Sequence, residues 1–407
     1  MKKILGLSMI TSFVLSTSTY ADSISEAFDN LEVNGEIKLG FVSSDFLGAA
    51  KTDKVTAIGG SLSAVTGSFY GLKAGVTFQA ATILSDDTKN NPTNIFSVNN
   101  TSYRTSFFDT DGVSLSESYL EYTIVNTTFK AGRQYIHTPI VNNAIEGKSS
   151  EAIVKDSFEA YLLTNTDIPD TTLVAGYIDK FQAQNNGNSE FNDFADLEDG
   201  AYTLYIKNNS IENLTLQAQY LDIDGNTTAA DTDLFYLQAD YQAGPHTLSA
   251  QYYRSSVNKQ VGKMYGLKAT GPLGLGKLGY LVGYSSSMDD INAVYTGAGA
   301  GATDSVFTAL PVHDGEVPAR ADTDTIVGAI VAPIGPTTII TYAGKSMSNT
   351  HVLGDVTGMG AIFIYPITKD LVLKANYAHV DTENTLAPAG VVNDTTDTAR
   401  IYLSYKF

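Results

Sequence analysis

The sequence predicts an all-β fold: a closed antiparallel transmembrane β-barrel of about 18 strands, with short periplasmic turns and long external loops. Three observations carry that expectation. Apolar and polar residues alternate in segment after segment. Each segment is about ten residues long, which is what a tilted strand needs to cross a bilayer. The connections between segments switch between short and long along the chain.

The alternation is plain in four segments. Val33, Gly35, Ile37, Leu39 and Phe41 interleave with Asn34, Glu36, Lys38 and Gly40. Tyr70, Leu72, Ala74, Val76 and Phe78 interleave with Gly71, Lys73, Gly75, Thr77 and Gln79. The set Leu214, Leu216, Ala218, Tyr220 and the set Leu371, Leu373, Ala375, Tyr377 repeat the pattern. Successive strand side chains point to opposite faces, so each segment has one apolar and one polar face. In a soluble sandwich the apolar face would meet a core; in a membrane barrel it meets lipid and the polar face lines water. Aromatics near strand ends, among them Tyr122, Phe129, Tyr161, Tyr202, Tyr241, Tyr284 and Tyr405, fit the interfacial girdles of a membrane barrel.

The short connections fall at 66–69, 126–127, 165–171, 208–213, 242–245, 271–275, 332–336 and 366–370. The long ones fall at 44–54, 82–113, 136–156, 181–200, 222–232, 255–263, 285–323, 346–356 and 380–397. The resulting even number of strands leaves both termini on the periplasmic side. Closure pairs every strand, which lipid demands because it offers the backbone no hydrogen-bond partners. At roughly 16 to 18 strands side chains no longer fill the interior, so a water channel is expected.

The chain begins with an export signal. Lys2 and Lys3 precede an apolar run from Ile4 to about Ser16, and Thr19-Tyr20-Ala21 supplies a small exit residue. Residues 1–21 therefore read as a signal peptide and 22–407 as a single barrel domain. Only 17% of residues are charged, against about 25% in an ordinary soluble domain. The net charge of −19 argues against a nucleic-acid partner. The absence of Cys is compatible with an oxidising periplasm. One window, 325–344, is free of charge, but Pro333, Gly335 and Pro336 interrupt it. It reads as two strands and a turn, not a membrane helix.

The last strand, Ala399-Arg400-Ile401-Tyr402-Leu403-Ser404-Tyr405-Lys406-Phe407, resembles the C-terminal signal read by the barrel-assembly machinery of bacterial outer membranes, with Tyr405 and Phe407 as its aromatic elements. The segment Phe129-Lys130-Ala131-Gly132-Arg133-Gln134-Tyr135, followed by Thr138-Pro139, resembles the G-R-Q-x-x-x-T-P region of OprD-like porins. It is especially similar to the campylobacterial Opr and major outer membrane protein branch. Ser25-Glu26-Ala27-Phe28, before Val33-Asn34-Gly35-Glu36-Ile37, resembles that branch's leader into strand one. The resemblance implies an eighteen-stranded channel in the outer membrane, in contact with its lipid and lipopolysaccharide, a homotrimer, and a third external loop, 136–156, folded inward as the constriction.

Selectivity in a pore comes from charged groups at its narrowest part. Strand phase places Lys38, Lys73, Lys130, Lys268, Lys374, Arg400 and Lys406 on polar faces. The resemblance implies a basic ladder along one lumen wall, for which Lys130 and Arg133 are candidates by motif position. Arg133 is out of phase with Lys130, so a bulge or the barrel rim is required there. Loop residues Glu146, Glu151 and Asp156, with Lys148 and Lys155, would oppose these bases across the constriction. Glu36, Glu121 and Glu159 would add lumen charge. The acidity leans toward cations and the basic wall toward carboxylates; broad permeation with a weak cation preference is the expectation.

No enzyme chemistry is expected. The five His residues, His137 beside the third loop included, lack a second His at metal-ligand spacing, and no Ser sits in a G-x-S-x-G turn. No cofactor is expected either. Calcium in the acidic loops is the alternative, but Asp222-Ile223-Asp224-Gly225-Asn226 lacks the closing Glu of a calcium loop. The expected function is passive diffusion of ions and small hydrophilic solutes. The alternatives are a channel selective for small carboxylates, as the resemblance implies, and a barrel-anchored adhesin or structural protein.

Overall fold

The computed structural model describes residues 23–45, 52–87, 110–143, 152–186, 190–225, 230–288, 292–310, 317–348, 354–384 and 392–407. The expected signal peptide, and Glu146, Lys148 and Glu151 of the third loop, lie outside these residues.

A six-residue helix, α1 (Ile24–Asp29), leads into the first strand. Ser23 caps it, its Oγ accepting a hydrogen bond from the Glu26 amide at 3.1 Å. Eighteen strands follow: β1 (Glu32–Asp45), β2 (Asp53–Val65), β3 (Leu72–Asp86), β4 (Gly112–Ile124), β5 (Thr127–Gln134), β6 (Ser157–Asn165), β7 (Thr171–Gln182), β8 (Ala195–Ile211) and β9 (Leu214–Ile223) make the first half. The second half is β10 (Thr232–Ala243), β11 (His246–Val257), β12 (Gln260–Pro272), β13 (Gly279–Ser287), β14 (Thr323–Ile334), β15 (Thr337–Ser348), β16 (Val356–Pro366), β17 (Leu371–Asn384) and β18 (Val392–Lys406).

Every strand pairs antiparallel with its sequence neighbours, and β1 pairs with both β2 and β18, so one eighteen-stranded sheet closes on itself. At the seam Ile37 lies opposite Tyr405 on one side and Gly60 on the other. No edge is left with unpaired amides, which is the condition for standing in hydrocarbon.

The register sorts side chains as the alternation demands. Val33, Ile37, Leu39, Leu72, Val76, Phe78, Leu120, Leu216, Leu248, Leu267, Val282, Ile330 and Ile401 are large, apolar and exposed. They stand on the outside of the barrel, where acyl chains cover them. Tyr161, Tyr177 and Tyr202 form a tilted row of rings across β6, β7 and β8, with centroids 6.3 and 5.1 Å apart. Toward the opposite strand ends, Tyr122, Phe129, Tyr241 and Tyr405 are also exposed. Among the described residues no helix is long and apolar enough to span a membrane; the strands make the crossing.

All eight short connections occur where expected. One of the long ones does not: β11 and β12 are joined by Asn258 and Lys259 alone. Both residues have positive φ, 49° and 69°, the conformation of a tight hairpin whose twist matches its strands. Ser255, Ser256 and Val257 pair with Gly262, Val261 and Gln260 instead of joining a loop. Polar composition at 255–263 made it look like loop, but those residues stand on a barrel rim where polar strand ends are solvated.

Candidate functional site

What occupies the lumen begins with two connections that turn inward. The third external loop (135–156) leaves β5, and Ile136, Ile140 and Val141 pack against Phe158, Ile178, Leu221 and Leu234 on the inner wall. Gln219 of β9 holds its tip: the Ile140 amide donates to Gln219 Oε1 at 3.1 Å, and Gln219 Nε2 donates to Thr138 Oγ1 at 2.7 Å. The loop's return, Ile153 and Val154, packs on Val42, Val55, Ala57 and Tyr402 across the barrel. The described parts of the loop thus pack on two separate stretches of the inner wall.

The seventh external loop (288–322) also folds inward, which the sequence reading missed. Val294, Val306, Ala309 and Ala319 pack on Tyr236, Tyr253 and Met264 of β10–β12. The two loops join in a short parallel bridge between Val141 and Ala298. The Asn142 amide donates to Ala298 O and the Ala298 amide to Ile140 O, both at 2.9 Å. A Cβ on Gly297 would lie 2.2 Å from Ile140 O, and one on Gly299 2.3 Å from Asn142 O. The run Gly297-Ala298-Gly299-Ala300-Gly301-Ala302 is therefore the legible signal: close backbone approach needs residues without side chains.

Asp156 ties three loops together. Its carboxylate is buried and accepts from the Ala300 amide of loop seven at 2.6 Å and from the Gln184 amide of loop four (183–194) at 2.9 Å. Burial raises its pKa to about 6, against the two amide hydrogen bonds that favour the ionised form. Asp156 is thus a structural knot, and its charge does not line the passage. His137 serves the same loop: its Nδ1 lies 3.4 Å from Asn142 Oδ1, and burial lowers its pKa.

The charged inner wall is built by β3, β4 and β5. Glu121 lies between Lys73 and Lys130 in the register, so the three candidates form one row across three strands. Lys130 Nζ is 3.7 Å from Glu117 Oε1 and 3.6 Å from the centroid of the Tyr119 ring. Glu117, which sequence phase did not single out, is buried; it accepts from Thr77 Oγ1 at 2.6 Å and from the Tyr135 amide at 3.2 Å. It stands in phase with Tyr119 and Glu121 on the inner face of β4, next to the bulge opposite Thr77/Phe78. Lys38 is buried on the inner face of β1 and donates from Nζ to Ala152 O at 3.2 Å. It supports the loop's return.

Arg133 does not join that row. No bulge separates it from Lys130 in either pairing of β5. It faces outward near the external rim, in register with Glu159, whose carboxylate its Nε meets at 3.4 Å. Its guanidinium stacks on Phe194, 4.1 Å from the ring centroid. Next in the same row come Lys180 and Asp196, paired at 3.1 Å. The expectation that Arg133 and Glu159 add lumen charge is corrected: strand period two holds through β5, and both residues form an ionic belt on the barrel's outside.

The wall from β13 to β18 differs in kind. Its inward positions include Leu281, Val327, Ala329, Val331, Ile340, Ile362 and Ile364, so β14–β16 are apolar on both faces. Loop seven covers the external part, with Leu310 set against Gly344 and Gly358, 3.2 and 3.3 Å from where their Cβ atoms would be. Lys374, Arg400 and Lys406 complete that wall. Among the described residues no group of three or more His, Asp or Glu side chains could hold a metal ion.

No protein-family model matches the chain, and no curated protein sequence matches it. Solved structures do. Acinetobacter baumannii OccAB1 superposes with a TM-score of 0.71 at 14% identity, over 96% of this chain and 98% of that one. Pseudomonas aeruginosa OccK8 (OprE) gives 0.70 at 15%, over 94% and 99%, and Pseudomonas aeruginosa OpdQ 0.68 at 17%, over 94% and 99%. At such identities the likeness is one of fold, and it runs nearly end to end in both chains: this is a β-barrel of the architecture shared by the Occ and Opd proteins.

Proposed function

We propose that the chain is an outer-membrane porin, a water-filled channel through which ions and small hydrophilic solutes diffuse passively. The observation that carries this reading is the closed eighteen-stranded sheet with an apolar, aromatic-banded outside. A barrel of that size is too wide for side chains alone to fill, and here two loops, not a packed core, narrow it. The Lys73–Glu121–Lys130 row beside Glu117 supplies closely spaced charges of both signs, which suits small ions and polar solutes. The likeness to OprD and Occ barrels supports the same reading. The residue resemblance at 129–139 extends it to the campylobacterial branch and to a homotrimer bedded in lipopolysaccharide; export by residues 1–21 and assembly through Tyr405 and Phe407 belong to the same proposal.

Single-channel recording of the purified protein in planar bilayers tests it. Ohmic steps in potassium chloride are expected, with a modest zero-current potential in a salt gradient. A protein that inserts without conducting would overturn the channel and leave the adhesin or anchor. A second reading, selectivity for small carboxylates, is favoured by one observation: the inner wall of β13–β18 carries Lys374, Arg400 and Lys406 and, among its described side chains, no inward Asp or Glu.

A further inference from the structure

We propose that the outer face of the β11–β12 hairpin holds a phosphorylated, multiply acylated lipid of the outer leaflet. Arg254 and Lys263 take its phosphate, and the aromatic and aliphatic surface below them takes an acyl chain. The inference rests on the outer-membrane reading and names a lipid site on this chain.

Two like charges carry the argument. Arg254 of β11 and Lys263 of β12 are direct cross-strand partners, and both are exposed. Tyr253 and Ser255 flank Arg254 and are fully buried on the inner face, as is Met264 beside Lys263, so period two turns both cations outward. Like charges set directly opposite each other on a sheet repel. A third cation, Lys259, stands exposed in the two-residue turn between the strands. Other cations of the external outer belt are matched: Arg133 meets Glu159 at 3.4 Å, Lys180 meets Asp196 at 3.1 Å and Lys345 meets Asp355 at 2.8 Å. Among the described residues Arg254, Lys259 and Lys263 form no ion pair. Asp233 of β10 lies diagonal to Arg254 in the register, but its carboxylate accepts from the Tyr220 hydroxyl at 2.6 Å instead. In a chain of net charge −19, this hairpin carries positive charge that its described neighbours leave uncompensated.

The surface beneath leads straight into the hydrocarbon. The next outward pair is Tyr252 and Tyr265, and Tyr284 of β13 joins Tyr265 with ring centroids 6.0 Å apart. Below them Ala250 sits between Ala239 on β10 and the exposed Leu267 on β12. Small side chains beside larger ones leave room for a chain to lie along the strands. Cations above tyrosines above aliphatic surface is the order of environments that one amphipathic lipid presents: phosphate, interface, acyl chain. Phosphate suits the cations because it accepts charge-assisted hydrogen bonds from a guanidinium fork and an ammonium together. Two strands are roughly 10 Å across, about the width of a headgroup, whereas a stable protein interface buries about 800 Å² per partner. A lipid therefore fits this patch better than a second copy of the chain.

Native mass spectrometry of the whole barrel, released from detergent in the presence of micromolar diphosphoryl lipid A, tests the site. Tight retention of that lipid is expected, with little retention of its dephosphorylated form. Arg254→Gln with Lys263→Gln should weaken retention by about tenfold or more, since two charge-assisted hydrogen bonds are lost. Arg254→Lys with Lys263→Arg should preserve it. Arg133→Gln with Lys180→Gln removes the same charge from matched pairs and should leave retention intact. Heat-sensitive migration on a detergent gel checks that each variant is a folded barrel. Equal retention of the phosphorylated and dephosphorylated forms would overturn the proposal, as would undiminished binding by the first pair of Gln variants or an equal loss from the matched pairs. If Arg254→Gln with Lys263→Gln split an oligomer while still holding lipid A, the hairpin would be a contact between copies and the lipid site would fall. A wild-type protein that held lipid A but passed no current would overturn the porin reading and leave this one standing.

Discussion

Lys130 and Arg133 are three residues apart on one short strand, and they do opposite things. Lys130 faces inward between Glu117 and Glu121, while Arg133 is held outside by Glu159 and Phe194. The contrast predicts a split. Lys130→Glu should move the zero-current potential toward cation preference, because it leaves three carboxylates adjoining on the lumen wall. Arg133→Glu should leave that potential unchanged, since its charge lies across the sheet from the passage. Equal shifts from both variants would contradict the face assignment. Asp156 supports a prediction in pH. Its pKa is raised from 3.8 to about 6 in the buried knot, so the clasped state holds a proton more tightly than a solvated loop would. The clasp is therefore strongest below the ordinary carboxylate pKa and weakens as pH rises through about 6. At ~1.4 kcal/mol per pH unit, the weakening is on the order of 3 kcal/mol. Limited proteolysis of the folded barrel should show loops three and seven more readily cut at pH 7.5 than at pH 5, and Asp156→Asn should abolish the difference. Cutting that is faster at the lower pH would refute the sign.

At the level of elements, loop seven is the least tolerant of change where it touches loop three. Gly297 has a φ of 135°, and a side chain there would press on the Ile140 carbonyl. Gly297→Val should release the loop at a cost of ~1–3 kcal/mol in strain alone. In bilayers the variant should show larger or noisier steps than the parent; unaltered steps would mean that the clasp does not narrow the passage. These contacts also explain what the sequence could and could not disclose. Strands were legible because lipid outside and water inside impose period two, and Val33 to Phe41 obey it residue by residue. Turns were legible where Asn, Gly and Pro cluster, as at Asn213 and Gly335. The inward course of loop seven was not, because loop-to-loop packing has no period; only its Gly-Ala run hinted at it. Phase reasoning likewise treated every inward face as polar, and so passed over Ile340, Ile362 and Ile364, whose neighbours Ile339, Phe363 and Tyr365 already satisfied the lipid side. It passed over Glu117 although that residue, four positions from Glu121, shares its phase.

For the whole molecule the decisive contact is the seam, since a barrel that fails to close exposes two strand edges to hydrocarbon. The seam is finished by the last residue. The Phe407 amide donates to Gly35 O at 3.0 Å and the Gly35 amide to Phe407 O at 2.9 Å. The Phe407 ring lies over Gly35, where a Cβ would come within 2.4 Å of it, and stacks on Tyr405 with centroids 5.9 Å apart. Backbone pairing and ring packing can therefore be separated. Phe407→Ala keeps both hydrogen bonds and loses the ring; deletion of Phe407 loses all three contacts, with each hydrogen bond worth about 1 kcal/mol net. The fraction of protein that migrates as a compact, heat-sensitive barrel on a detergent gel should fall for Phe407→Ala and fall further for the deletion. Gly35→Val should resemble Phe407→Ala, because it evicts the same ring from the other side of the seam. If Gly35→Val and Phe407→Ala both assembled like the parent, the ring would have no part in closure, and any defect in the deletion would belong to the backbone pair alone.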